Sequence, residues 1–159
     1  MNRWHGVNLT LALLVVSLLT LHLWPREATQ RPLTDLDPST VTLIRVERGK
    51  RLHLALRRKD KGWEMTHPRA APAEERRVQQ LLAITRAPVQ QEFPAGDAPG
   101  RYGLETPVAV LQFDRLRLQF GDRDPSQNSR YVLADGRIRV IDDVYFNLLS
   151  LPPGHFAGN

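Results

Sequence analysis

The chain has 159 residues, with 22 Lys plus Arg against 17 Asp plus Glu and a formal net charge of +5. The absence of cysteine excludes a disulfide framework, a thiolate metal site, a cysteine nucleophile and attachment through a lipidated N-terminal cysteine. The positive excess is small, mostly arginine and scattered along the chain, which argues against nucleic-acid binding.

After a head of six residues (1–6), Val7 to Trp24 reads VNLTLALLVVSLLTLHLW, without one formal charge. At about 1.5 Å rise per residue, such a run approaches the roughly 30 Å hydrocarbon core of a bilayer. Trp4 and Trp24 bracket it as interfacial aromatics do, and Pro25 ends the helix. No small-x-small cleavage site follows, so the segment reads as an uncleaved single-pass anchor rather than a signal peptide. Flanking charge does not orient it, because Arg26 and Arg31 are partly offset by Glu27.

Residues 25–40 are rich in Pro, Thr and Asp without a period, and read as a tether. A single soluble domain is expected over 41–151, with 152–159 as a flexible tail. VTLIRVERG (41–49) is strand-like with a slip in its alternation. RLHLALRRK (51–59) alternates cleanly, and a third short strand carries Trp63 and Met65. Val78, Leu81, Leu82 and Thr85 recur at helical spacing within 73–86, with acidic residues in the first turn and Arg86 in the last. Val89 to Phe93 reads as a short edge strand and 94–104 as a loop. Two strands follow over 107–114 and 115–120, then a polar turn over 121–129. Asp135-Gly136 between RYVLA and RIRVID predicts a hairpin with a type I′ turn. Asp143 is expected to cap a closing helix carrying Val144, Phe146, Leu148 and Leu149. The expected fold class is α+β, with antiparallel strand meanders each closed by a helix, preceded by one N-terminal transmembrane helix.

His53, His67 and His155 match no metal-ligand spacing, and Asp122 and Asp124 lack the Gly and Glu of a calcium loop. No G-x-S-x-G turn or glycine-rich phosphate loop is present, so neither an enzyme nor a cofactor is expected. In Arg101-Tyr102-Gly103-Leu104, glycine allows a sharp turn while Tyr102 and Leu104 plug the core, and Trp63 reads as an apolar lid. Seven arginines fall in the expected strands. Arg115, Arg117, Arg137 and Arg139 are singled out as an interaction surface, provided that they share one solvent-facing side. The competing reading pairs the arginines locally with Glu47, Asp114 or Asp142.

Taken in order, several pieces carry a resemblance: VTLIRVERG, Gly62-Trp63-Glu64-Met65, Pro72-Ala73 leading to Val78-Gln79-Gln80-Leu81-Leu82, Arg101-Tyr102-Gly103-Leu104-Glu105-Thr106-Pro107, Leu118-Gln119-Phe120-Gly121 and Arg130-Tyr131-Val132. Together they resemble the domain-of-unknown-function family numbered 4340, found in membrane-anchored bacterial envelope proteins. The resemblance implies a non-enzymatic domain on the periplasmic side of the bacterial inner membrane, with no catalytic residues to carry over. The expected role is an accessory or assembly protein of an envelope complex, transporter-associated in some relatives, that binds a membrane-protein partner. The alternative is an envelope glycan, lipid or anion-binding module using an arginine-lined sheet face.

Overall fold

The computed structural model describes residues 31–158 apart from Asp97 and Pro125. The expected anchor at 7–24 lies outside the described residues, among which no helix is long and apolar enough to cross a membrane. The elements are β1 (Leu43–Arg48), β2 (Arg51–Lys59), β3 (Gly62–His67), β4 (Ala71–Pro72), α1 (Glu75–Ala83), β5 (Gln91–Pro94), β6 (Ala109–Phe113), β7 (Leu116–Asp124), β8 (Ser129–Ala134), β9 (Arg137–Asp142) and α2 (Val144–Ser150). The fold is α+β. One nine-stranded antiparallel sheet runs in the order β4-β3-β2-β1-β6-β7-β8-β9-β5.

Local chemistry accounts for the hairpins. Asp135 and Gly136 both take positive φ (50° and 72°), as a type I′ turn between right-twisted strands requires. Gly49 and Lys50 do the same between β1 and β2 (53° and 65°). The clean alternation expected of RLHLALRRK breaks at His53: the register with β1 shifts between Val46 and Glu47, which pair with Leu54 and Leu52, so Leu52 turns out to 40% exposure while Leu54 and Leu56 stay buried. The polar turn after Phe120 is shorter than 121–129, because β7 continues to Asp124 through an irregularity between Phe120 and Arg123 and pairs with Ser129.

The inner face of the sheet carries Ile44, Leu56, Met65, Leu111, Phe113, Leu118, Phe120 and Val132 into one buried core. Val78, Leu81 and Leu82 of α1 cover it. Their i, i+3, i+4 spacing places them on one stripe, and each contributes about 1.5–3 kcal/mol by burial. The helix is shorter than 73–86, since its last turn tightens to 3-10 geometry at Ile84–Arg86.

The two meanders run outward from the central β1–β6 pair, and each half sends its trailing segment to the other's far edge. After α1 the chain reaches β9 and adds β5 beside it. After α2 the tail reaches β4. The Glu74 N–H donates to the Phe156 carbonyl (2.9 Å), the Gly158 N–H donates to that of Pro72 (2.8 Å), and Phe156 is fully buried. The domain is therefore wider than 41–151, and 152–158 is an integral strap rather than a flexible tail. At the other end, Leu33 and Thr34 donate N–H bonds to the carbonyls of Ala87 and Thr85 (2.8 and 2.9 Å), and Leu33 and Val41 are fully buried. The second half of the expected tether belongs to the domain. Both segments lack a period because each is held by backbone bonds and one or two buried side chains, a pattern that leaves no alternation to read.

Candidate functional site at the junction of loop 95–107 with the sheet

The outer face of the sheet is covered over part of its area by the loop between β5 and β6. Tyr102 lies between Phe93 of β5 and Tyr131 of β8, with ring centroids 5.4 and 4.8 Å away, and Leu104 is buried. Ile138, Val140 and Val110 are buried outside the main core, and register puts them on this same outer side. The loop turns at Gly103 (φ +68°), where an added Cβ would meet the Asp122 carboxyl carbon at 2.5 Å. Gly121 lets the loop approach, since a Cβ there would collide with the Tyr102 carbonyl oxygen. Pro107, which leads into β6, lines a surface groove with Val108, Gly49 and Lys50.

On the opposite, inner side of the sheet, next to Tyr131 along β8, lies a nearly buried ion pair. Arg130 is 8% exposed; its Nε lies 2.6 Å from Asp143 Oδ1, its Nη1 donates to the Gly121 carbonyl (2.7 Å), and its guanidinium lies 3.7 Å from the Phe146 ring centroid. Arg123 adds a second cation to Asp143 at 3.3 Å. The carboxylate that caps α2 is consequently Asp142, whose Oδ1 accepts the Val144 N–H (2.9 Å), and Asp143 is spent on the arginines. Periodicity gave no sign of Arg130, because buried arginine looks like any other charged strand residue; its only signal was its place in Arg130-Tyr131-Val132. Asp124 accepts from the Ser126 hydroxyl and N–H (2.6 and 2.9 Å), which holds its carboxyl below the usual range. Burial, and then the nearby Asp124 charge, push the Tyr131 phenol up.

Trp63 is buried in the main core with the Arg58 guanidinium 5.0 Å from its ring centroid. His53 Nε2 lies 2.9 Å from the Leu151 carbonyl, His67 pairs in register with Ala55, and the His155 ring meets that of Phe156 edge-on. Among the described residues no group of three His, Cys, Asp or Glu side chains is placed to hold a metal ion.

The four singled-out arginines do not share a surface. Arg117 stands opposite Gln112, which stands opposite Arg45, all on the outer side. Arg139 stands opposite Val132, which stands opposite the buried Phe120, so Arg139 and Arg137 project from the inner side. There Glu92 takes both, pairing with Arg137 and lying 3.4 Å from Arg139, whose Nη1 also donates to the Leu33 carbonyl (2.8 Å). Hydrogen bonding to Arg137 holds the Glu92 carboxyl below its usual range. Arg115 is exposed in the β6–β7 turn, and Arg117 lies 3.8 Å from Glu47. Alternation within each strand could not reveal this split, because it fixes relative sides within one strand and leaves open which side meets which across several pairings.

A family model described as domain of unknown function (DUF4340) matches residues 63–156, more than half of the chain. The chain belongs to the DUF4340 family. No curated protein and no solved structure matches it. The DUF4340 match begins at Trp63 in β3 and ends at Phe156 in the C-terminal strap, and it contains the whole loop–sheet junction. The strands β1 and β2 lie before it, yet they belong to the same sheet.

Proposed function

We propose that the chain is a non-enzymatic, membrane-anchored accessory or assembly protein of a bacterial envelope complex, its domain lying on the periplasmic side of the inner membrane and acting through a protein-binding surface. The observation that carries this reading is the uncharged run from Val7 to Trp24, joined within a few residues to a domain that begins at Arg31. Membership of a family whose relatives resemble envelope proteins supports the location. Tethering raises the effective concentration of the domain near a membrane partner, so a modest interface suffices for assembly. The surface offers such interfaces as open, shallow grooves, one lined by Lys59, Lys61, Trp63 and Pro72 and another by Lys50, Pro107 and Val110. Three carboxylates at strand ends and turns are engaged in structure. Asp114 accepts the Thr42 and Leu43 N–H groups and the Thr42 hydroxyl, Asp142 caps α2 and Asp143 holds Arg130.

The test is fractionation of cells expressing the full chain, followed by cross-linking in the membrane. The protein is expected to survive a high-salt wash and to leave only with detergent, and cross-linking is expected to recover one specific partner. Release by salt alone, or a mature N-terminus beyond Pro25, overturns the tethering. Recovery of the uncross-linked chain alone overturns the partner.

A further inference from the structure

We infer that the outer face of β1, β2 and β7 docks an extended acidic segment of a partner protein, a statement that rests on the binding role above and names the surface and its ligand chemistry. Arg45, Gln112 and Arg117 form one row across β1, β6 and β7, and Arg57 on β2 lies diagonal to Arg45, opposite Leu43. Adjacent strands are about 4.8 Å apart, so Arg45 and Arg117 stand roughly 10 Å from each other on one side of the sheet. Arg45, Arg57 and Arg117 are all exposed.

The acidic residues nearby are committed elsewhere. Glu64 stands directly opposite Arg57 but reaches Lys59 at 2.5 Å. Asp114 holds the backbone of Thr42 and Leu43. Glu47 is drawn to Arg117 at the long distance of 3.8 Å. Among the described residues, Arg45 and Arg57 have no carboxylate within 4.0 Å. Their guanidinium forks are free to take carboxylates in two-point contact.

The pattern selects the partner. A bilayer surface or a nucleic acid presents phosphates densely, and would press them against Glu47 and Glu64 as well as against the arginines. An extended peptide repeats its side chains on one face about every 6.8 Å, so its carboxylates can meet arginines and skip the intervening acids. An apolar margin adjoins the row. Leu52 is in register with Glu47 at 40% exposure, Val108 is 42% exposed, and a groove of about 380 Å³ between Arg117, Glu47, Lys50 and Pro107 is floored by Val110. Apolar side chains of a peptide fit this margin, and lipid headgroups do not use it.

The experiment uses the full chain in phosphatidylcholine nanodiscs and a labelled peptide of about a dozen residues with Glu at every second position. Fluorescence anisotropy at low salt is expected to show binding that weakens as salt rises. In the R45Q/R57Q/R117Q variant affinity falls about tenfold, while R76Q, on the exposed side of α1, binds as the wild type does. Thermal melts of the variants match the wild type, since all four side chains are exposed. Absence of binding by the wild type, equal binding by the triple variant, or stronger displacement by inorganic polyphosphate than by unlabelled peptide overturns the proposal. A chain that washes off membranes yet binds the peptide through these arginines leaves this surface standing and fails only the tethering. A cross-linked partner with no peptide binding does the reverse.

Discussion

Gly121 and Gly136 separate two demands that glycine meets. At Gly136 the need is conformational alone, since φ is +72° and nothing lies within 4 Å of an added Cβ. Alanine there is expected to cost about 1 kcal/mol, the left-handed penalty of an L-residue. Gly121 has an unexceptional φ but admits the Tyr102 carbonyl and the Leu104 side chain. Alanine there must displace backbone, and is expected to cost about 3 kcal/mol and to expose the Tyr102 ring. Urea titrations of G121A and G136A, with tyrosine fluorescence as a second probe, check the order. Equal losses would mean that the loop yields where the packing says it cannot.

Glu92 supplies the acid sensitivity expected at the same scale. Its carboxyl is held below its usual range by the Arg137 hydrogen bond, the largest effect; burial opposes it, and the Arg139 and Arg137 charges add to the lowering. A lowered folded-state pKa favours folding above the ordinary glutamate value of about 4.3, and that contribution disappears as pH falls through the folded value. The melting temperature of wild type is therefore expected to fall faster than that of E92Q as pH drops from about 5 to 3. Parallel curves across that window would remove Glu92 from the account.

At the scale of elements, what the residues announce depends on how each element is held. Alternation revealed β2 and β9, Asp135-Gly136 revealed the turn before β9, and the Val78, Leu81, Leu82 stripe revealed the buried side of α1. Those signals are local and repeat. The segments 31–40 and 152–158 are held by single backbone bonds to distant residues and by isolated anchors such as Leu33 and Phe156, so nothing in them repeats. The side on which Arg139 emerges is a property of pairings with β8 and β7, and not of RIRVID itself. The strap reading makes a measurable claim. Phe156→Ala removes a fully buried ring whose backbone carbonyl holds the Glu74 N–H, and is expected to cost about 3–5 kcal/mol. A thermal melt within a degree or two of wild type would return the tail to a peripheral role.

The exchange of trailing segments governs the molecule as a whole. The first meander, β1 to β4, has its far edge closed by residues 156–158, which follow the second meander. The second, β6 to β9, has its far edge closed by β5, which precedes it and is delivered across the core by α1. Neither half can bury its apolar face or finish its backbone bonding without chain from the other, although the contacts within each hairpin are local. Unfolding is therefore expected to be one transition, with Leu33→Ala and Phe156→Ala shifting the same midpoint even though they sit in segments at opposite ends of the domain. Hydrogen exchange would show it directly: amides of β2 and β8 should exchange with a common opening free energy in each variant. If Phe156→Ala loosened β2 and left β8 protected, the halves would be independent units, and the reciprocal straps would be fastenings on two finished modules.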